Sequence, residues 1–430
     1  MTLQRGRDGV ARGEMRRALA LFNWNAGLRL WYDGVAGISG FVFVGFALAL
    51  GVEKEKMGYL ASAASLACIG QVIGILIANV VRDKKRYIML LCLLDPLLFI
   101  ATLIAVWYVP LSLRFPVLLL GVLLCAAVLQ SASPLVAEWV ASTIPTSLRG
   151  RYMGRRMQIF GAVAVTATLL IGIATQHLKV FGIPGYLGIL LVGAVLGMLA
   201  VRPLRNIPLP AVSANARVDW SALPQVLRTA PFLRLLVGTV LFFLPFWMVA
   251  PYYQVYNLKI LGLNEQTISW MMVGYYLLKI VLSPLAGQWV DRLGARVVIW
   301  LTSPIYIIFF VLYVISTPAT WWLVMAAWTL VGVADALLTI AFNVSLFHVV
   351  PDTPARPAYF AFYNISVVLC AAVCAAVAAA IVSALARTTV ISSPLHLGQF
   401  QLFFAIVLVV LLPCLLSTWL FPGKNLAQSQ

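Results

Sequence analysis

Along most of the chain, apolar residues follow one another without the alternation of a half-buried strand or the one-sided stripe of a helix on a soluble protein. Twelve stretches are apolar on all sides and close to the roughly 20 residues that an α-helix needs to cross the hydrocarbon core of a bilayer. They cover residues 26–51, 57–81, 87–109, 115–142, 152–176, 185–202, 232–258, 266–290, 297–316, 320–349, 358–386 and 399–421, with short breaks rich in Gly, Pro, Arg and Lys between them. The pattern predicts an all-α polytopic membrane protein with twelve transmembrane helices and no large soluble domain.

Composition agrees: of the 430 residues, 63% are apolar and 10% charged, whereas a soluble domain carries about 25% charge. The net charge of +17 would suggest nucleic acid if the cations shared one face. They do not. With the amino terminus placed inside, 22 of the 30 Lys and Arg residues fall on cytoplasmic segments, six fall outside, and two, Arg29 and Lys279, fall within spans. That is the positive-inside distribution. It predicts a cytoplasmic (inner) membrane protein, of a bacterial kind, with both termini in the cytoplasm, attraction to anionic lipid and no nucleic-acid partner. Arg5, Arg7, Arg12, Arg16 and Arg17 mimic the charged start of a signal peptide, but the stretch runs on into a full-length span without a small-residue cleavage site, so it is expected to be retained.

The six cysteines lie within spans and form no Cys-x-x-Cys pair, so neither a disulfide framework nor a metal or other cofactor is expected. The sequence has no Gly-x-Ser-x-Gly, no His-Glu-x-x-His and no P-loop lysine followed by Ser or Thr. An enzyme and a direct user of ATP are therefore disfavoured.

The chain repeats one plan. After span 8 stands Gly287-Gln-Trp-Val-Asp291-Arg292-Leu-Gly294-Ala-Arg296, and after span 2 a looser Ala78-Asn-Val-Val-Arg82-Asp83-Lys84-Lys85-Arg86. Pro145-Thr-Ser-Leu-Arg149-Gly150-Arg151 follows span 4, and Pro351-Asp-Thr-Pro-Ala-Arg356 follows span 10. The offsets, 208 and 206 residues, are close to half the chain. Six spans per half is an even number, so the halves are parallel repeats: an amino-terminal bundle over 1–202, a linker rich in Pro and Arg over 203–231, and a carboxy-terminal bundle over 232–430.

Twelve spans in two sixes, with a Gly-x-x-x-Asp-Arg-x-Gly-x-Arg loop after span 8, resemble the major facilitator superfamily over essentially the whole chain. The resemblance implies a monomeric secondary transporter of a small solute that works by alternating access. It also implies that spans 1, 4, 7 and 10 line the central cavity, and that the loop residues Asp83, Arg149, Arg151, Gly287, Asp291, Arg292, Gly294, Arg296 and Arg356 form a cytoplasmic gate. Subfamily signatures are missing: no Gly-Pro pair on span 5, no Glu-x-x-Glu-Arg on span 1, no arginine on span 4 and no Pro-Glu-Ser-Pro-Arg after span 6. Tyr32-Asp33-Gly34 only loosely resembles the sugar porters.

Polar side chains inside a span are costly and usually face a watered interior. Asp335, Thr339 and Asn343 follow one another at i, i+4 on span 10, and Gln130, Pro134 and Glu138 do so on span 4. Span 1 carries Arg29 and Asp33 one turn apart, and span 7 carries Trp247, Tyr253 and Gln254 between and beyond Pro245 and Pro251, which could break the helix. Lys279, with Tyr275 one turn earlier, lies at a depth similar to Asp335. A Lys279–Asp335 pair reads either as a structural salt bridge or as a site where substrate or a proton competes. Arg29–Asp33 carries the same two readings, and Asp95-Pro96, on a usually peripheral span, reads as structural. Glu138 is expected to meet Arg149 or Arg151, or substrate. Proton-coupled transport is the primary expectation; a facilitative uniporter, a non-transporting sensor or assembly protein, and a membrane-embedded enzyme are the alternatives.

Overall fold

The computed structural model describes residues 2–143, 149–209, 223–351, 356–386 and 398–422. The side chains of Arg149, Arg151, Asp291 and Arg356 lie outside that description, so the expected contacts of these four gate residues do too. Helices follow from the solvent: in hydrocarbon every backbone N–H and C=O must be satisfied within the segment. The twelve are α1 (Thr2–Ala36, continued by Phe41–Ala49), α2 (Met57–Leu66, continued by Ile69–Val80), α3 (Lys84–Tyr108), α4 (Leu111–Thr143), α5 (Arg149–Leu178), α6 (Ile183–Leu199, continued by Val201–Arg205), α7 (Ala230–Val249), α8 (Glu265–Leu293), α9 (Ala295–Ile315), α10 (Trp322–Val349), α11 (Arg356–Ala386) and α12 (Gln399–Leu415). Eleven of these regions are long and apolar enough to span by themselves. The twelfth, α8, has 29 residues and is the helix that carries Lys279, Tyr275 and Glu265.

Breaks occur where the sequence weakens a helix. α1 is interrupted between Ala36 and Phe41, a segment holding Gly37 and Gly40. On α7 the two prolines behave differently. Pro245 sits inside an unbroken helix, while the chain turns at residues 250–252, around Pro251, before a short Tyr253–Val255 turn and a π-helical Tyr256–Ile260 turn. Gly294, at φ 87°, separates α8 from α9 in a conformation that favours glycine.

The packing is the same in the two halves. α1 packs on α5 and α6, α2 on α4, and α3 on α4 and α6; in the same way α7 packs on α11 and α12, α8 on α10, and α9 on α10 and α12. Adding six to each helix number maps one set onto the other, which makes the halves structural repeats. Two seams join them, α5 with α8 and α2 with α11, and the mapping exchanges these seams. Following contacts from α1 through α5, α8, α10, α7, α11, α2 and α4 leads back to α1. Eight helices thus ring a centre, and α3, α6, α9 and α12 stand outside the ring against the lipid.

Because each half crosses six times, one face of the bundle bears both termini (the terminal face), and the other is the far face. The seams are tight toward the far face. A Cβ on Gly172 of α5 would lie 2.2 Å from Ser269 Oγ of α8, and one on Gly161 would lie 2.2 Å from Ile280 Cδ1, an equal step along two antiparallel helices. A Cβ on Gly58 of α2 would meet Ala375 O of α11 at 2.7 Å. Two turns beyond Ile280, toward the terminal face, a Cβ on Gly287 would meet nothing within 4 Å. Polar contacts repeat the asymmetry: Glu265 on α8 accepts from Lys179 Nζ and from Tyr186 OH, both at 2.6 Å, and the Glu55 carbonyl accepts from Tyr252 OH at 2.9 Å. All of these lie at the far face. Among the described residues, these contacts latch the halves together at the far face.

Candidate functional site

Each half places one cluster of polar residues on the ring, backed by a helix outside it. In the first half Arg29 of α1 is shared. Its Nε is 2.9 Å from Asp33 Oδ1, on the same helix, and its Nη2 is 2.5 Å from Asp95 Oδ2, on α3. Tyr32 OH donates to Asp95 Oδ1 at 3.2 Å, and the guanidinium carbon lies 4.7 Å from the Tyr32 ring centroid. The two carboxylates differ in surroundings. The Asp95 side chain is 4% exposed, whereas that of Asp33 is 49% exposed. One cation therefore serves two anions, and the anion in excess is the one open to the centre.

Two hollows of about 410 Å³ and 440 Å³ adjoin this cluster, and both are lined by Arg29, Asp33, Leu129 and Ser133. The first extends along Asn25, Val140, Arg156 and Phe160 toward the terminal face, and the second along Gly37, Ile38, Phe99 and Gln130 toward the far face. Gln130 accepts from Gln71 Nε2 at 3.1 Å, which joins α4 to α2. Glu138, further along α4, is half-buried.

In the second half Asp335 of α10 is the hub. It accepts from Tyr306 OH of α9 at 2.7 Å and from Tyr275 OH of α8, and Lys279 Nζ is 3.6 Å away. Lys279 also donates to Tyr275 OH at 3.3 Å. A single carboxylate thus meets a cation and two phenols, a charge-assisted network. The sequence-level pairing of Lys279 with Asp335 is present as a contact, with two tyrosines that complete it. Thr339 and Asn343 continue the stripe on the exposed face of α10, each hydrogen-bonded to a carbonyl one turn back, at 2.7 and 2.6 Å.

Beside the hub lies an aromatic box. Tyr253 is packed against Phe309, Tyr313 and Trp328 with ring centroids 5.4 Å away in each case, and Trp328 Nε1 donates to Tyr313 OH at 2.7 Å. Trp247, which the sequence also places toward the cavity, stacks on Phe243 at 5.8 Å. Gln254 is buried, and its Oε1 has no hydrogen-bond partner among the described residues.

The loop residues are less convergent. Asp83 caps α3, accepting from Arg86 N at 3.0 Å, and pairs with the Arg86 side chain at 2.9 Å. Arg296 donates to Phe421 O at 2.7 Å, which ties α9 to the chain after α12 inside the second half. Neither contact crosses between halves. Arg292 is exposed at the end of α8.

Sequence reasoning missed Asp95 and Tyr306 as parts of these clusters. Asp95 does sit on a helix outside the ring, but it points inward at Arg29. Its signal was legible, since it is an ionisable residue in mid-span. Tyr306 had none, because a tyrosine in an apolar run reads as core. The far-face trio of Lys179, Tyr186 and Glu265 was also missed, being scattered over a loop, a span and a helix start.

A ring of helices around a polar centre, latched on one face and built from two parallel six-helix repeats, defines a membrane carrier fold. Residues 235–429 match the family model described as Major Facilitator Superfamily. Among solved structures, the chain is similar to a D-xylose–proton symporter (15% identity, covering 95% of this chain and 98% of that one, TM-score 0.71). It is also similar to the nucleoside transporter NupG (12% identity, 97% and 100% covered, TM-score 0.66) and to the xylose transporter XylE from E. coli in a partially occluded inward-open conformation (14% identity, 96% and 99% covered, TM-score 0.65). No curated protein matches the chain by sequence. The second half thus carries the sequence pattern of the Major Facilitator Superfamily, and the whole chain shares the fold of these solved transporters.

Proposed function

We propose that this protein is a proton-coupled secondary transporter of a small polar solute, caught with its cavity open to the cytoplasm. The observation that carries the reading is the sharing of Arg29 between a buried Asp95 and a half-exposed Asp33. Ionisable groups placed this way in a membrane protein serve ion pathways and proton relays. Asp33 has a single cationic partner and an open face, so a proton can reach it while Asp95 keeps the guanidinium in place. Asp335 accepts from two phenols and faces Lys279. It suits a fixed anchor better than an exchange site. Lys279, Tyr275, Thr339 and Asn343 then supply donors and acceptors to a solute, with the aromatic box beside them.

The positive-inside rule puts the terminal face in the cytoplasm, so the far-face latch together with a hollow that runs along Asn25, Val140 and Arg156 toward the terminal face supports an inward-open state. Residues 203–231 would act as the linker about which the bundles 1–202 and 232–430 rock. The proton symporter among the structural neighbours supports coupling of this kind.

The test has two stages. A thermal-shift screen of purified protein against metabolites finds a solute, because a ligand of the native state raises apparent stability by mass action. Flux of that solute is then measured in proteoliposomes with and without an imposed pH gradient, for wild type, Asp33→Asn and Asp335→Asn. The expected result is gradient-driven accumulation by wild type, loss of accumulation with retained counterflow in Asp33→Asn, and weakened solute binding in Asp335→Asn. Flux that ignores the gradient in wild type would make the protein a facilitative carrier, and binding without flux would make it a sensor.

A further inference from the structure

Outside the ring, where α3 and α6 face the bilayer, a groove of about 690 Å³ runs from the terminal face into the apolar layer. Its walls are two matching helical stripes. On α3 the stripe is Arg86, Leu90 and Leu93; on α6 and its continuation it is Val195, Leu199 and Arg202, with Arg205 at the mouth. The arginines stand together at the terminal-face end, and everything deeper is aliphatic or Met. Arg202 and Arg205 are exposed, and among the described residues neither has an acidic partner. Asp83, an acid next to the loop's cations, is already engaged by the Arg86 side chain and backbone. Lys85 Nζ donates to the Arg205 carbonyl at 2.8 Å, which adds a further cation and fixes the two helix ends to each other.

We infer that this groove is a binding site for an anionic phospholipid, with its phosphate held by Arg202, Arg205 and Arg86 and its acyl chains lying along the aliphatic stripes. The charge pattern chooses the occupant. A membrane-facing cleft that is cationic at the headgroup level and apolar below complements a lipid with a net negative head, and basic pockets between transmembrane helices recognise such heads. A second protein would have to bring its own acid to the headgroup level, and a soluble anion would leave the apolar depth of the cleft, lined by Leu90, Leu93, Val195 and Leu199, unused. The site is separate from the solute pathway, because α3 and α6 stand on the other side of α1 and α4 from the centre.

Native mass spectrometry of the full-length protein in detergent tests the assignment, using phosphatidylglycerol and phosphatidylcholine with identical acyl chains. Wild type is expected to retain phosphatidylglycerol over phosphatidylcholine. Arg202→Gln/Arg205→Gln is expected to lower phosphatidylglycerol retention by about tenfold or more and to leave phosphatidylcholine unchanged. Arg16→Gln/Arg17→Gln removes the same charge elsewhere and is expected to change neither. Val195→Trp fills the groove without altering charge and is expected to lower phosphatidylglycerol retention as well, which keeps the test alive if the arginine variant fails to fold. Retention like wild type in either groove variant, an equal loss in the Arg16/Arg17 pair, or displacement of the lipid by soluble glycerol phosphate would overturn the proposal.

Discussion

At the scale of single residues, the first-half cluster is governed by an imbalance of charge. Arg29 is 18% exposed and faces two carboxylates. Removing one partner of a buried ion pair leaves an uncompensated charge, whereas removing both is far milder. Arg29→Met is therefore expected to destabilise the protein by about 3–5 kcal/mol, and Arg29→Met/Asp95→Asn to recover most of that. Thermal unfolding in detergent, followed by tryptophan fluorescence, measures both. If the double variant is no more stable than the single one, Asp95 is not the anion that Arg29 compensates. In the second half, Tyr306→Phe deletes one donor to Asp335 and is expected to cost about 1.5–3 kcal/mol, because the acceptor is charged. The same unfolding assay reads it.

At the scale of helices, small residues decide how closely elements approach and therefore which polar groups can meet. The α5–α8 seam closes on Gly161 and Gly172, where any larger side chain collides with Ile280 or Ser269. Gly172→Leu is expected to prise the far-face ends apart and shift the population toward an outward-open state. A cysteine placed at Ser269 in a cysteine-free background should then react faster with a membrane-impermeant maleimide than it does without the Gly172 change. Glu265→Gln should shift the population the same way but less far, since it weakens the pairing with Lys179 and keeps hydrogen bonding to Tyr186. Unchanged labelling in both would mean that this seam does not report on closure.

At the scale of the whole molecule, the latch at the far face makes a directional forecast. Asn343 is exposed on α10, in the portion nearest that face. A cysteine at this position is expected to be labelled from the cytoplasmic side, in inside-out vesicles, and protected in right-side-out ones; the reverse pattern would invert the orientation. Solute found by the stability screen should slow the labelling, because Asn343 continues the stripe that begins at Asp335. The ring arrangement also explains why α3 and α9 matter without touching the centre. Asp95 and Tyr306 reach inward from them and set the side chains of α1 and α10 that do face it.

The linear order of residues was sufficient for the span count, the even split into two repeats, the bias of basic loops and the short roster of intramembrane polar groups. Lipid is a nearly uniform solvent, so the cost of each polar side chain can be read one position at a time. Lys279 with Asp335, and Arg29 with Asp33, were legible for that reason and from i, i+4 geometry or similar depth. What only the tertiary structure decided is which of these groups meet across helices. Tyr32 finds Asp95 at a separation of 63 residues, and Lys179 finds Glu265 at 86. Those choices depend on how each helix is rotated about its axis, and rotation is set by close packing at particular small residues, as at Gly161 and Gly172. The same holds for the lipid-facing groove, whose two stripes become one site only because α3 and α6 lie side by side.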